Sequence, residues 1–250
     1  MRAGTSPWAV GVAMAAASAA LLALGLAVGS AGWEPLGASG GPGATIVREI
    51  RLPRSLGAWL AGALLGLGGA IAQGLFRNPL ADPYLLGSAS GASLGVAVLL
   101  ALGGMAPGAA SGWAAQLGLA GVAFAGAVLG VLMTLVLARG VQQTLRLLLA
   151  GVIVGMVLGA LAALVLFRFP EAMRGMQAFL LGTTGFVGWD GVRLLAAVLA
   201  VSLAAGLALA RALDALTLGE ATAASLGIAL GRARVWLVGI VALATGAAVA

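Results

Sequence analysis

Long stretches of this chain carry no charged residue at all. Ala3–Trp33, Ser55–Phe76, Pro83–Ala138, Leu147–Phe167 and Leu194–Ala210 are charge-free, and an apolar run that starts at Val235 is still open at Ala250. A helix needs about 20 apolar residues to cross the hydrocarbon core of a bilayer. Pro83–Ala138 is too long for one crossing, and Met105-Ala106-Pro107-Gly108 through Gly112 breaks it in two. Seven transmembrane helices are therefore predicted. The spans follow one another closely, so residues 1–250 read as one membrane domain with an all-α fold, a polytopic helix bundle.

Composition bears on what such a bundle can do. Only 8% of the residues are charged against 62% hydrophobic. A soluble domain normally carries about 25% charged residues, so most of this surface is suited to lipid. Cysteine and histidine are absent, and all 13 basic residues are arginine. That excludes disulfides, thiolate nucleophiles, imidazole bases and the usual zinc sites. A phosphate-binding P-loop needs lysine beside Ser or Thr, so the chain is not a conventional ATPase by itself. No cofactor or metal site is expected. The formal charge of +6 comes from arginines at helix ends, where they commonly snorkel to headgroups. They form no stripe that would suit nucleic acid.

Smaller features punctuate the spans. Arg2 before an apolar run imitates a signal peptide, but the run is too long for one and no soluble domain follows. Pro170 and Glu171 open a short helix that Gly182 closes, an interfacial element rather than a crossing. Glycines recur at four-residue spacing, as in Gly25/Gly29, Gly62/Gly66, Gly87/Gly91/Gly95, Gly126/Gly130 and Gly151/Gly155/Gly159. Such faces let helices pack closely in lipid. Arginine counting leaves orientation open. With the N-terminus inside, Arg2, Arg77, Arg139, Arg146, Arg211, Arg232 and Arg234 lie inside, and Arg48, Arg51, Arg54, Arg168, Arg174 and Arg193 lie outside. The run is open at Ala250, so further helices are expected in a longer parent protein.

The spans hold no ionisable residue away from their ends. Ion-coupled transporters usually place such groups at membrane depth, so energy is expected from outside the bilayer. Three segments are richer in polar residues. Arg48-Glu49-Ile50-Arg51-Leu52-Pro53-Arg54 enters the second helix. Gln73-Gly74-Leu75-Phe76-Arg77-Asn78-Pro79-Leu80-Ala81-Asp82-Pro83-Tyr84-Leu85-Leu86-Gly87 joins the second to the third. Residues 214–228, which include Leu216-Thr217-Leu218-Gly219-Glu220, join the sixth to the seventh.

With Leu-Leu-Leu-Ala-Gly at 147–151, these segments resemble the FecCD permease family of ATP-driven importers for iron-siderophores, haem and cobalamin. The likeness runs from about Ile46 onward, and Arg-Asn-Pro-Leu-Ala-Asp-Pro is its most specific string. It implies ten helices in the complete fold, of which this chain supplies seven. It implies a second permease subunit (the same or a relative), cytoplasmic ATPase subunits and an extracytoplasmic binding protein. The implied location is the bacterial cytoplasmic membrane, and an iron-siderophore is the first expectation for the cargo.

Particular residues inherit expectations. Arg51 and Arg54 match outer-face arginines that receive acidic groups of the binding protein; headgroup snorkelling is the alternative. Asn78, Pro79, Leu80 and Thr144 match the cytoplasmic mouth, although Asn78 and Asp82 equally suit capping of the next helix. Gln142 and Gln143 suit a solvated turn near that mouth. Residues 214–234 match the cytoplasmic coupling loop, read as a short helix, a glycine turn and a second short helix. There Leu216, Leu218 and Leu226 would fill a groove of the ATPase, Gly219 and Gly227 would set turns, and Glu220 and Ala223 complete the docking set. Ala221 and Ala224 stand where relatives often carry polar residues. The rivals are an ion-coupled secondary transporter and a membrane assembly subunit without a transport path.

Overall fold

A computed structural model describes residues 6–29, 32–33, 42–103, 113–138, 144–185, 187–225, 227 and 229–249. Eleven α-helices are present among them. Six segments are long and apolar enough to cross a bilayer, and the apolar helix at Ser88–Leu102 is shorter. The all-α expectation holds. The seven expected spans become six long helices and one short one.

The chain divides into two compact units. The first comprises Met1–Leu60 and Thr184–Leu194, the second Ala61–Thr183 and Leu195–Ala250.

The first unit begins with α1 (Pro7–Ala27), which has Pro at its first turn, where a missing N–H costs nothing. The charge-free run reaches Trp33, but the helix stops at Ala27. Val28 adopts an extended conformation. Val28–Gly29 (β1) then pairs antiparallel with Gly32–Trp33 (β2). Absence of charge marks what lipid tolerates; it does not mark where the backbone turns.

The next helix starts earlier than its charge-free stretch. α2 (Pro42–Ile46) passes through a π-helical turn at Val47–Arg51 into α3 (Leu52–Phe76). The apolar segment Gly43–Phe76 has 34 residues, about 50 Å at 1.5 Å per residue. The hydrocarbon core is about 30 Å thick, so this segment is longer than one crossing needs, and Arg48, Glu49 and Arg51 fall toward its N-terminal end. Also in this unit, a Cβ on Gly57 would lie 2.7 Å from the Val187 side chain.

The second unit holds α3 from Ala61 onward, then α4 (Ser88–Gly103), α5 (Trp113–Leu137), α6 (Thr144–Arg168), α7 (Met173–Leu181), most of α8 (Trp189–Ala208), α9 (Ala210–Thr217), α10 (Glu220–Ser225) and α11 (Leu230–Val249). α4 and α5 touch backbone to backbone. A Cβ on Gly91 would collide with the carbonyl of Gly126, one on Gly126 with the carbonyl of Gly91, and one on Gly130 with that of Gly87. Without a hydrophobic drive between helices in lipid, this close approach and its dispersion contacts hold the pair. Gly151 of α6 meets the carbonyl of Leu85 in the same way. By contrast, Gly62, Gly66 and Gly159 have no neighbour within 4 Å of a built Cβ. For those three the expected close packing is absent among the described residues.

Two apolar clusters fill this unit. One joins the end of α3 (Ile71, Leu75, Phe76) to Leu147 of α6, Leu216 of α9 and Leu237 and Val241 of α11. The other joins Val96 and Leu100 of α4 to Ala123, Ala162, Ala172 and Met176. The short element after α6 is as expected: a 3-10 turn at Pro170–Ala172 leads into α7, and Gly182 at φ +67° ends it. The expected break at 105–112 and Gln142 and Gln143 lie outside the described residues.

Candidate functional site

The second and third polar segments meet at one end of the second unit, and each is shaped by local chemistry. α3 closes with two bonds of a Schellman turn. The Arg77 N–H donates to the Gly74 carbonyl at 3.3 Å and the Asn78 N–H to the Gln73 carbonyl at 3.1 Å. That geometry puts the residue after the helix in the left-handed region, and Arg77 sits there with φ +50°.

Two prolines then forbid a helix. Asn78 Oδ1 accepts from the Leu80 N–H at 2.9 Å, and Asp82 Oδ1 accepts from the Tyr84 N–H at 2.6 Å. Each side chain bonds the amide two residues on, so the segment is two Asx turns in tandem. This corrects the capping expectation: Asn78 and Asp82 hold their own turns, and α4 starts only at Ser88, after Gly87 at φ +81°. The tandem turn projects Leu80, which is 87% exposed, while Asn78 and Pro79 are also exposed. Ala81 and Leu86 are buried and anchor it. The Thr134 hydroxyl donates to the Leu86 carbonyl at 2.9 Å inside the core. Burial raises the pKa of Tyr84, and the nearby Asp82 carboxylate adds to the effect. Thr144 is half-buried at the first position of α6.

α9 packs against the same end. Leu213 of α9 seats on Gly74, its Cγ 2.8 Å from where a Cβ would stand. α9 ends at Thr217, and the Gly219 N–H donates to the Leu216 carbonyl at 3.1 Å. Gly219 turns the chain at φ +112°, α10 runs over Glu220–Ser225, and Gly227 turns it again at φ +75°. Only glycine adopts such angles cheaply. The helix, glycine and helix order is therefore as read, but the 214–234 bounds cut through α9 and into α11, which begins at Leu230 rather than Val235.

The leucines divide. Leu216 is 2% exposed and Ala223 fully buried, so both belong to the chain's own core and no partner can reach them. This corrects the expectation that Leu216 fills a partner's groove. Leu218 is 67% exposed and is the leucine on offer. Leu226 lies outside the described residues.

Arg234 is 2% exposed. Sequence reading placed it among the helix-end arginines that snorkel. Its phase was the overlooked signal, because Arg234, Leu237, Val238 and Val241 recur at three- and four-residue spacing and are all buried. Seating of Leu213 on Gly74 was also missed.

Arg51 and Arg54 lie in the first unit. Arg51 is half-buried; its Nη1 donates to the Leu26 carbonyl at 3.2 Å, and its guanidinium lies against Gly29. It satisfies a carbonyl that the end of α1 leaves open, with a cation at the favourable end of the helix dipole. Arg54 is exposed. No group of three or more metal-ligating side chains occurs among the described residues.

A sequence profile of the FecCD transport family matches residues 13–250. The cobalamin import system permease protein BtuC of Halobacterium salinarum is 34% identical over 206 residues, covering 82% of this chain and 53% of that protein. The vitamin B12 import system permease protein BtuC of Citrobacter koseri is 37% identical over 190 residues, covering 75% and 55%. Its Escherichia coli counterpart is 36% identical over 214 residues, covering 82% and 63%. The chain thus spans between half and two thirds of the length of these relatives. A solved structure of an inward-facing metal-chelate type ABC transporter superposes with a TM-score of 0.78 at 22% identity, covering 95% of this chain and 73% of that one.

Proposed function

Starting from the fact that this chain belongs to the FecCD transport family, we propose that it is the membrane-spanning part of an ATP-driven importer for a metal chelate. It works by alternating access, as one of two permease subunits in the cytoplasmic membrane. ATP is hydrolysed by separate subunits docked on α9 and α10, and a binding protein delivers cargo to the opposite face.

The observation that carries this reading is the 209–229 segment. It is a pair of short helices turned by glycines, with Leu216 and Ala223 rooted in the core and Leu218 held outward. A rooted segment with one protruding apolar side chain suits a groove on a soluble partner. Leu80 projects from the neighbouring turn of the same unit, and this end is the cytoplasmic mouth. Among siderophore, haem and cobalamin, cobalamin is favoured, because the relatives above bear that name.

The test is co-purification of the full-length protein with its ATPase, comparing wild type with Leu218→Arg. A charged side chain in a closed apolar groove costs several kcal/mol, so the variant is expected to lose the ATPase while remaining folded in the membrane. A wild type that binds no ATPase would overturn the reading and bring ion-coupled transport forward.

A further inference from the structure

The turn that leaves α3 has a residue other than glycine at the position its Schellman bonds make left-handed. Arg77 occupies the left-handed region, φ +50°, where glycine is the usual occupant. An L side chain there costs about 1 kcal/mol. Strain of this kind, held by an otherwise exposed residue, points to something its side chain does.

The guanidinium reaches the α9–α10 turn. Arg77 Nη1 lies 3.9 Å from the position a Cβ would take on Gly219. α9 ends two residues earlier, at Thr217, so the cation stands at the end of that helix which its dipole makes negative. One turn back along both elements, Leu213 fills the notch at Gly74. Beyond Arg77 the chain enters the tandem Asx turns that present Leu80. One residue thus follows α3, opens the mouth turn and leans on the segment assigned to the ATPase.

We propose that Arg77 is a positioning residue of the transport cycle: its guanidinium, beside Gly219, couples the α9–α10 turn to the Asn78–Pro83 turn, so that movement imposed on the first reaches the second. Leu213 on Gly74 supplies the fulcrum, and Arg77 keeps the two turns from sliding past each other. This rests on the importer reading above.

The experiment uses the full-length permease in its complex with the ATPase, made otherwise cysteine-free, with an environment-sensitive fluorophore on Leu80→Cys. None of the 250 residues here is cysteine. Arg77→Gly and Arg77→Asn both suit the left-handed backbone and remove the guanidinium. Both are expected to keep the ATPase bound and hydrolysing ATP. Their ATP-dependent fluorescence change at position 80 should fall roughly threefold or more, the range of mutations along a coupling route. Arg77→Lys, which keeps the charge without the planar fork, should recover part of it. An undiminished response in Arg77→Gly or Arg77→Asn overturns the inference alone. So does failure of both to fold, since Arg77 would then be structural. A wild type that holds the ATPase but shows no ATP-dependent change also overturns it. A wild type that holds no ATPase overturns the importer reading, and the inference with it.

Discussion

A methyl group has no room at Gly126. Its Cβ would enter the carbonyl of Gly91, and that obstacle is backbone rather than a side chain able to swing away. Gly126→Ala is therefore expected to push α4 from α5 and to cost about 1–3 kcal/mol, the usual penalty of overpacking. A lower melting temperature in detergent is the readout, and Gly62→Ala, at an open position, is the control. Tyr84 offers a second test, because it is the single tyrosine in the chain. Burial first, and the Asp82 charge second, raise its pKa. The unfolded chain then ionises before the folded one. This contribution to stability is intact below the free phenol value and is lost as pH rises through the folded midpoint. An absorbance titration of the phenolate should give a midpoint above that of free tyrosine. Asp82→Asn should lower it only in part, since burial remains.

Among elements, α1 depends on a residue that is distant in sequence. Every described side chain on it is at least partly exposed, so little packing holds its end. The bond from Arg51 to the Leu26 carbonyl closes that end at 3.2 Å. A hydrogen bond from a charged donor contributes about 1.5–3 kcal/mol when its geometry is kept. Half-exposure of Arg51 argues for the lower part of that range. Arg51→Ala should fray the last turn of α1, seen as faster hydrogen exchange at the amides of Leu24–Val28, with α5 and α6 unaffected. The π-turn at Val47–Arg51 adds one residue to the usual helical ring and shifts the phase of what precedes it. Charge spacing in the sequence does not reveal that shift.

For the whole molecule, the proposal for the outer face now rests chiefly on Arg54. Arg51 already serves α1, whereas Arg54 is exposed and available to a carboxylate. Arg54→Glu in the full-length protein is expected to weaken the binding protein by about tenfold or more, through like-charge repulsion. The loss should shrink at high salt, because the charges are solvated. Equal affinity for wild type and variant would assign Arg54 to the lipid headgroups. This measurement is independent of the ATPase tests at the other end of α3.

The spans, the short helix closed by Gly182, and the helix–glycine–helix order within 214–228 are legible in the sequence. Lipid solvation selects uncharged runs, proline and glycine act on the backbone they occupy, and the three polar segments stood out against a uniform background. Helix ends were read less well. Charge says where lipid is tolerated, while the ends at Ala27, Ser88 and Leu230 were decided by the strand pair and the turns beside them. Tertiary contacts alone decided which glycines touch another backbone, which described leucine of the 214–228 segment faces outward, that Arg51 serves α1, and that Arg77 lies near Gly219. The residue pairs among these are 25 to 142 positions apart, and a pattern confined to one helix holds no information about what lies across from it.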